Sequence, residues 1–345
     1  MKLVRTEDAV GQVLCHDITQ IIPGVVKDAV FRKGHIVTKE DIPVLLSVGK
    51  ENLYIWEKQE GMLHENEAAE ILRQICQGEH MHPSEVKEGK IELIADCEGV
   101  LKINTEKLNA VNNLGEMMIA SRHGNFPVKT GDKIAGTRII PLVIEEEKMQ
   151  KACEVAGKEP IFRILPYQKK KAGIVTTGSE VYYHRIEDKF TPVVIEKLKE
   201  CGVTEVKQIQ CNDDHEMIME AIQTLIEDGS DLIVCTGGMS VDPDDRTPFA
   251  IKNACTEVVT YGAPVLPGAM FMLAYCEKEG RQIPVMGLPG CVMYAKRTIF
   301  DLVLPRIMCD EKLHEKDFRL LGQGGLCLSC PVCTFPNCGF GKGGY

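Results

Sequence analysis

The sequence predicts an α/β protein: a three-layer, mostly parallel sheet, preceded by a smaller α+β or β-rich region and followed by a cysteine-rich tail. Three observations predict it. From about Lys171 onward, short apolar runs alternate with amphipathic segments of helical length, the pattern of a parallel sheet covered by helices on both faces. Turns with the residues of ligand loops follow three of those runs directly, at 176–180, 236–245 and 288–290. The last four of fifteen cysteines are crowded into residues 327–338.

The elements follow in chain order. Thr38-Lys39-Glu40-Asp41 reads as a capped helix start running to Gly49, followed by a strand over 53–56. A helix is expected over 65–76, short strands over 91–96, 100–103 and 116–119, and a turn between strands over 126–133. Residues 166–171 read as a linker. The next strand is 172–176. Thr191-Pro192 opens a helix through Cys201, with Thr191 as N-cap, Pro192 in the first turn and Gly202 as the stop. Alternating apolar residues mark a strand over 203–210. Met217, Ile218, Ala221, Ile222, Leu225 and Ile226 stand at helical spacing within 214–228. A strand at 231–235, a short helix at 247–254, a strand at 283–287 and a closing helix at 291–304 complete the pattern. The domain reading is 1–165, 171–310 and a tail, 311–345.

The formal net charge of −10 argues against nucleic acid or an anionic membrane as partner, because either needs a basic face. Residues 1–8 lack the apolar core of a signal peptide, and no apolar run reaches membrane-spanning length. A cytoplasmic protein is expected, and with it reduced thiols rather than a disulfide framework.

In such sheets ligands bind beyond the carboxyl ends of the strands, near the switch point. All three turns follow strands, which places them in one site. Glycines let backbone approach a ligand, helix N-termini favour anions, and aspartates suit a hard divalent cation. The longest turn, Thr236-Gly237-Gly238-Met239-Ser240-Val241-Asp242-Pro243-Asp244-Asp245-Arg246-Thr247-Pro248, carries all three features.

Over residues 171–308 the chain resembles the molybdopterin-binding fold of molybdenum cofactor biosynthesis, which includes molybdopterin adenylyltransferases and molybdopterin molybdenumtransferases. Thr176-Thr177-Gly178-Ser179-Glu180 is similar to the first turn of the molybdenumtransferases. Ile186-Glu187-Asp188 and Asp213-Asp214 resemble the acidic segments before the first two helices. Gly237-Gly238 with Asp245-Arg246-Thr247-Pro248 matches the adenylyltransferase pattern, and Leu288-Pro289-Gly290 matches the turn that closes the pocket. Residues 9–18 resemble the opening segment of the molybdenumtransferases. Two residues depart from the pattern: Phe190 stands where Asn is common, and Cys291 stands where Asn usually follows Leu-Pro-Gly.

The resemblance implies a molybdopterin-binding transferase, with molybdopterin or its adenylate and molybdate or tungstate as substrates, working as a homodimer. Molybdenumtransferase is the preferred activity; adenylyltransferase and a non-catalytic carrier or sensor are the alternatives. It implies that Thr176, Thr177, Gly178, Ser179, Glu180, Thr236, Gly237, Gly238, Met239, Ser240, Pro289 and Gly290 bind the ligand. Asp213, Asp245 and Asp188 would be catalytic, with Asp242 and Asp245 on Mg²⁺.

The tail is outside that resemblance. Cys327, Cys330, Cys333 and Cys338 have spacing suited to zinc or an iron–sulfur cluster; the alternative is a metal-free flexible tail with reactive thiols. Without a metal, residues beyond about Lys312 are expected to be mobile.

Overall fold

The computed structural model describes residues 2–22, 26–55, 60–243 and 245–343. The chain forms two units, 1–96 with 103–122 and 130–163, and 97–102 with 123–129 and 164–345. The expected boundary at 165 therefore becomes several crossings. Segments 97–102 and 123–129 belong with the second unit, where Pro127–Val128 pairs antiparallel with Gly99 and Val100. The tail belongs there too.

In the first unit, antiparallel strands Met81–Pro83, Lys90–Ala95, Lys133–Ile139 and Met117–Ser121 lie side by side in that order. Helix Glu65–Cys76 matches its expected span and buries Ala68, Ala69, Leu72 and Cys76. A second small core gathers Leu14, Ile18, Val37, Leu45 and Leu53. The strand expected at 53–56 is Asn52–Ile55; Trp56 lies outside the described residues. Helix Asp41–Ser47 starts without a side-chain cap from Glu40, and Asp41 instead accepts the Thr38 N–H. Helices Thr105–Asn112 and Glu146–Ala156 were not expected.

The second unit holds six strands in one sheet: β1 (Lys171–Thr176), β2 (Glu205–Gln210), β3 (Leu232–Thr236), β4 (Glu257–Tyr261), β5 (Met272–Lys278) and β6 (Arg281–Leu288). Their order across the sheet is β2-β1-β3-β6-β5-β4. The first four are parallel; β5 and β4 run as an antiparallel extension. Four helices cover the faces: α1 (Phe190–Glu200), α2 (His215–Glu227), α3 (Thr247–Ala254) and α4 (Ile299–Met308).

Strand alternation sends neighbouring side chains to opposite faces. Ile174, Leu232, Val234 and Met286 pack with Val194 and Leu198 of α1 and Phe300, Val303 and Ile307 of α4. Val175, Ile233, Cys235 and Val285 pack with Ile222 and Leu225 of α2 and Ala250 and Ile251 of α3. Each fully buried large aliphatic side chain contributes roughly 1.5–3 kcal/mol by leaving water. The result is three layers, as the sequence predicts.

Two helix starts differ from expectation. Thr191 does not cap α1; the Asp188 carboxylate does, accepting the N–H groups of Phe190 and Thr191 at 3.0 Å each. The expected closing helix at 291–304 is a single 3-10 turn, Gly290–Met293, and then α4. Thr298 caps α4 in a capping box with Asp301. Among the described residues, no helix is long and apolar enough to cross a membrane.

The tail packs against the rest of the second unit. Phe318 and Phe340 are buried in the same core as α1 and α4, and Phe335, Cys327 and Cys338 pack beside them. Backbone bonds from Leu266 to Gly325 O (2.8 Å) and from Cys327 to Leu266 O (2.7 Å) fasten its start.

Candidate functional site at the strand ends

Thr176, Thr236 and Leu288 are register partners at the carboxyl ends of β1, β3 and β6. After β1 the chain leaves for α1 on one face of the sheet. After β3 it leaves for α3 on the other. This reversal is the switch point at which open α/β sheets bind ligands, and the three expected turns meet there.

Successive threonines tie the site to both helix layers. The Thr176 hydroxyl pairs with that of Thr191 in α1 at 2.8 Å. The Thr177 hydroxyl donates to Thr236 O at 3.0 Å and stands 3.1 Å from the Thr247 hydroxyl at the start of α3. The Thr177 N–H also donates to Thr236 O, at 2.8 Å. Gly237 has φ +86°, and a Cβ there would collide with the Thr177 carbonyl oxygen. Gly238 has φ +55°, and a Cβ would meet Thr247 Oγ1 at 2.8 Å. Only glycine permits so close an approach at both positions.

One polar group stands out. Among the described residues, Thr236 Oγ1 is a buried side-chain oxygen with no hydrogen-bond partner. Beside it, the backbone N–H groups of Gly237, Gly238, Met239 and Ser240 find no acceptor among the described residues. Gly237 and Gly238 are half-buried and Ser240 is exposed. Buried polar groups are nearly always paired in folded proteins, so the Thr236 hydroxyl, beside donors open at the surface, has the form of a contact for an oxygen-rich ligand. The Met239 side chain points the other way, buried in the core against Gly287. Met239 therefore offers backbone alone.

The acids divide by role. Asp213 Oδ2 accepts the Ser179 N–H at 2.8 Å, so that N–H is not free for a phosphate. Asp245 Oδ2 accepts the Asp242 N–H at 3.2 Å and closes the acidic turn. The Tyr261 hydroxyl donates to Met239 O at 3.1 Å; burial, and then the facing Asp245 charge, raise it above the usual phenol value. The Glu180 carboxylate lies over Gly178, whose added Cβ would meet Oε1 at 3.0 Å. Asp244 lies outside the described residues. Pro289 and Gly290 start the 3-10 turn after β6, with Pro289 O accepting the Val292 N–H at 3.0 Å.

Asp188 is occupied on both oxygens. Besides the two N–H groups of α1, it accepts Gln208 Nε2 at 2.9 Å. Burial would raise its carboxyl; the hydrogen bonds from Thr191, Phe190 and Gln208 outweigh that and hold it below the usual carboxylate value. Its place is that of a helix cap. Gln208, which also donates to Thr176 Oγ1 at 2.8 Å, is a residue that sequence reasoning missed.

Among the described residues, no group of three or more His, Cys, Asp or Glu side chains is gathered as a metal centre would require. Asp242 and Asp245 do not form a complete cation site by themselves. Of the tail cysteines, Cys327 and Cys338 turn toward the core while Cys330 and Cys333 are exposed; the structure does not bring the four together.

Residues 173–308 match the family model described as a probable molybdopterin binding domain. The matched stretch lies within the second unit. Residues 3–57 match a model described as a domain of unknown function, DUF8806. A CinA-like protein of Mycobacterium tuberculosis is 35% identical over 85 residues, which are 25% of this chain and 20% of that protein. The chain thus spans about a fifth of the length of the curated relatives it matches. The tungsten cofactor synthesizing protein MoaB from Pyrococcus furiosus is similar at 22% identity and TM-score 0.32, over 36% of this chain and 84% of that one. The CinA protein from Thermoplasma acidophilum is similar at 15% identity and TM-score 0.33, over 41% and 98%. The matched stretch runs from within β1 to the end of α4 and takes in the three turns at the strand ends.

Proposed function

We propose that the molybdopterin-family domain binds molybdopterin or its adenylate across the ends of β1, β3 and β6, and acts as a molybdopterin molybdenumtransferase that inserts molybdate or tungstate. The observation that carries the reading is the Thr236 hydroxyl, unpaired among the described residues, beside N–H groups of Gly237–Ser240 that find no acceptor among them. Successive backbone N–H groups of a glycine turn suit a phosphate or another oxyanion. The turn at Thr177–Glu180 and the resemblance of residues 9–18 favour the molybdenumtransferase branch.

Asp213 and Asp245 each use one carboxylate oxygen on a backbone N–H, and the other oxygen of each takes no hydrogen bond among the described residues. Mg²⁺ keeps several waters and is commonly held by one or two carboxylates with substrate phosphates. Asp213 and Asp245 are the residues that would hold such an ion. The ion would supply charge neutralisation at the phosphate. The protein's own part is to hold the ligand: the glycine backbone takes the oxyanion, Thr177 fixes the turn, and Asp245 shapes the loop.

Adenylyltransferase is the second reading, favoured by Asp245-Arg246-Thr247-Pro248 and by the bond from Thr247 to Thr177. A carrier or sensor is the reading suggested by Phe190 and Cys291, which replace amides that could bond the ligand. Turnover separates the three. Adenylylated molybdopterin with molybdate and Mg²⁺ should release AMP under the first reading; molybdopterin with ATP and Mg²⁺ should give the adenylate under the second. Tight binding without either product supports the carrier and ends the transferase reading. Homodimer formation and a cytoplasmic location belong to the same reading, and light scattering on the purified chain checks the first of these.

A further inference from the structure

The tail presents a feature that the molybdopterin site does not use. Its four cysteines split into two pairs by exposure. Cys327 and Cys338 pack beside the core of the second unit, whereas Cys330 and Cys333 are exposed. Cys330-Pro331-Val332-Cys333 has the Cys-x-x-Cys spacing of dithiol redox motifs, and both intervening residues are backbone bends. A bent tetrapeptide brings its end Cα atoms toward the 4.4–6.8 Å or so that a disulfide spans.

The loop is held in place from several sides. Lys296 Nζ donates to Pro331 O at 3.0 Å. The Arg297 guanidinium lies over the Phe335 ring, 5.2 Å from its centroid. The Cys327 N–H donates to Leu266 O at 2.7 Å and the Asn337 N–H to Thr334 O at 2.7 Å. Exposed thiols on an anchored bend are accessible to a small reagent. Most other cysteines of this chain are buried, including Cys76, Cys201, Cys211, Cys235 and Cys276.

We propose that Cys330 and Cys333 form a redox-active dithiol that undergoes exchange with low-molecular-weight disulfides. One thiolate attacks a sulfur of the small disulfide and expels one thiol, leaving a mixed disulfide on the protein. The second cysteine attacks the protein sulfur of that bond, closes the Cys330–Cys333 disulfide and expels the second thiol. Two protein S–H bonds and one external S–S bond become one protein S–S bond and two external S–H bonds. Two electrons pass from the protein to the external disulfide, and a dithiol reductant reverses the change. The split in exposure favours this over a four-cysteine metal centre, which would need all four sulfurs to converge.

The test uses the full chain, purified without oxygen, equilibrated with mixtures of reduced and oxidised glutathione, then alkylated and mapped by peptide mass spectrometry. As the oxidised fraction rises, the peptide carrying Cys330 and Cys333 should lose both alkylation sites together and gain an internal disulfide. Cys330→Ser should trap glutathione on Cys333, and Cys333→Ser should trap it on Cys330. The double variant Cys327→Ser/Cys338→Ser should keep the exchange. Three results would overturn the proposal: both thiols alkylated at every ratio, pairing of either with Cys327 or Cys338, or one zinc or iron centre per chain that shields all four.

Discussion

The hydroxyls of Thr177 and Thr247 stand 3.1 Å apart, joining the turn after β1 to the first residue of α3. Both residues are buried. The bond closes the switch-point crevice from the face opposite α1, and Gly237 and Gly238 lie directly beneath it. Thr177→Val keeps the shape and removes the hydroxyl, leaving Thr247 Oγ1 without this partner. A buried hydroxyl so treated costs about 1–3 kcal/mol. Ligand affinity, measured by fluorescence quenching with molybdopterin, should fall at least tenfold while the circular dichroism spectrum stays unchanged.

Asp188 and Asp245 should behave oppositely on mutation. Asp188→Ala removes a cap that accepts two backbone N–H groups, at a cost of about 0.5–2 kcal/mol. The melting temperature should drop, and turnover per folded molecule should persist. Asp245→Asn should leave the melting temperature nearly unchanged and remove most turnover. A variant pair with these two outcomes reversed would contradict the assignment of cap and ligand-side roles.

Lys197, Asp301 and Arg297 form a mostly buried charge cluster that ties α1 to α4. Asp301 Oδ1 accepts Lys197 Nζ and Arg297 Nη1, each at 2.7 Å, and Oδ2 accepts the Thr298 N–H at 2.7 Å. With Asp301 4% and Lys197 10% exposed at the side chain, removing one partner strands the other charge. Asp301→Ala should destabilise the chain by about 3–5 kcal/mol, read from urea unfolding of the intact protein. Asp301→Asn retains the cap geometry and should lose less.

The first unit should weaken in mild acid. His64 Nδ1 faces Lys33 Nζ at 3.0 Å, and Nε2 faces Cys15 O at 2.8 Å. A neutral ring with its proton on Nε2 satisfies both contacts. Burial, followed by the opposing effect of the Cys15 carbonyl and then the Lys33 charge, leaves the imidazole below its usual value. The unfolded chain therefore binds this proton more readily, and stability rises with pH across the interval. The contribution is complete above the ordinary histidine value of about 6.5 and is lost as pH falls from there toward the folded-state value. His16, lowered mainly by burial and then by the Lys50 charge, has the same sign. Urea midpoints taken from pH 7.5 down to pH 5 should decline, and His64→Gln should flatten the decline.

The parallel core was legible because its strands are short apolar runs and its helices carry clear periodicity, as Leu232–Thr236 and His215–Glu227 show. The antiparallel extension was not. Met272–Cys276 is buried on both faces, and a continuous apolar run carries no period to distinguish strand from helix. The break before α4 had a signal in Thr298-x-x-Asp301, a capping pattern, which the apolar residues from Cys291 onward obscured. Turn positions in the site were readable from glycine and aspartate. The unpaired state of Thr236 was not, because it depends on which neighbours fail to reach it across the sheet. Asp188 looked chemical from its neighbours in sequence, yet its partners are set by the folding of α1 and Gln208. The tail's Gly and Pro content concealed Phe335 and Phe340, whose rings secure it.

The antiparallel course of β5 sets the length of the parallel ledge. The strand termini of β2, β1, β3 and β6 form a ledge, and Met272 begins β5 opposite Gly287 with the chain running the other way. Four neighbouring parallel strands, roughly 4.8 Å apart, give a ledge roughly 14 Å long. Beyond β5 the same edge continues with Tyr261, the carboxyl end of β4, whose hydroxyl reaches back to Met239 O and borders the ledge on that side.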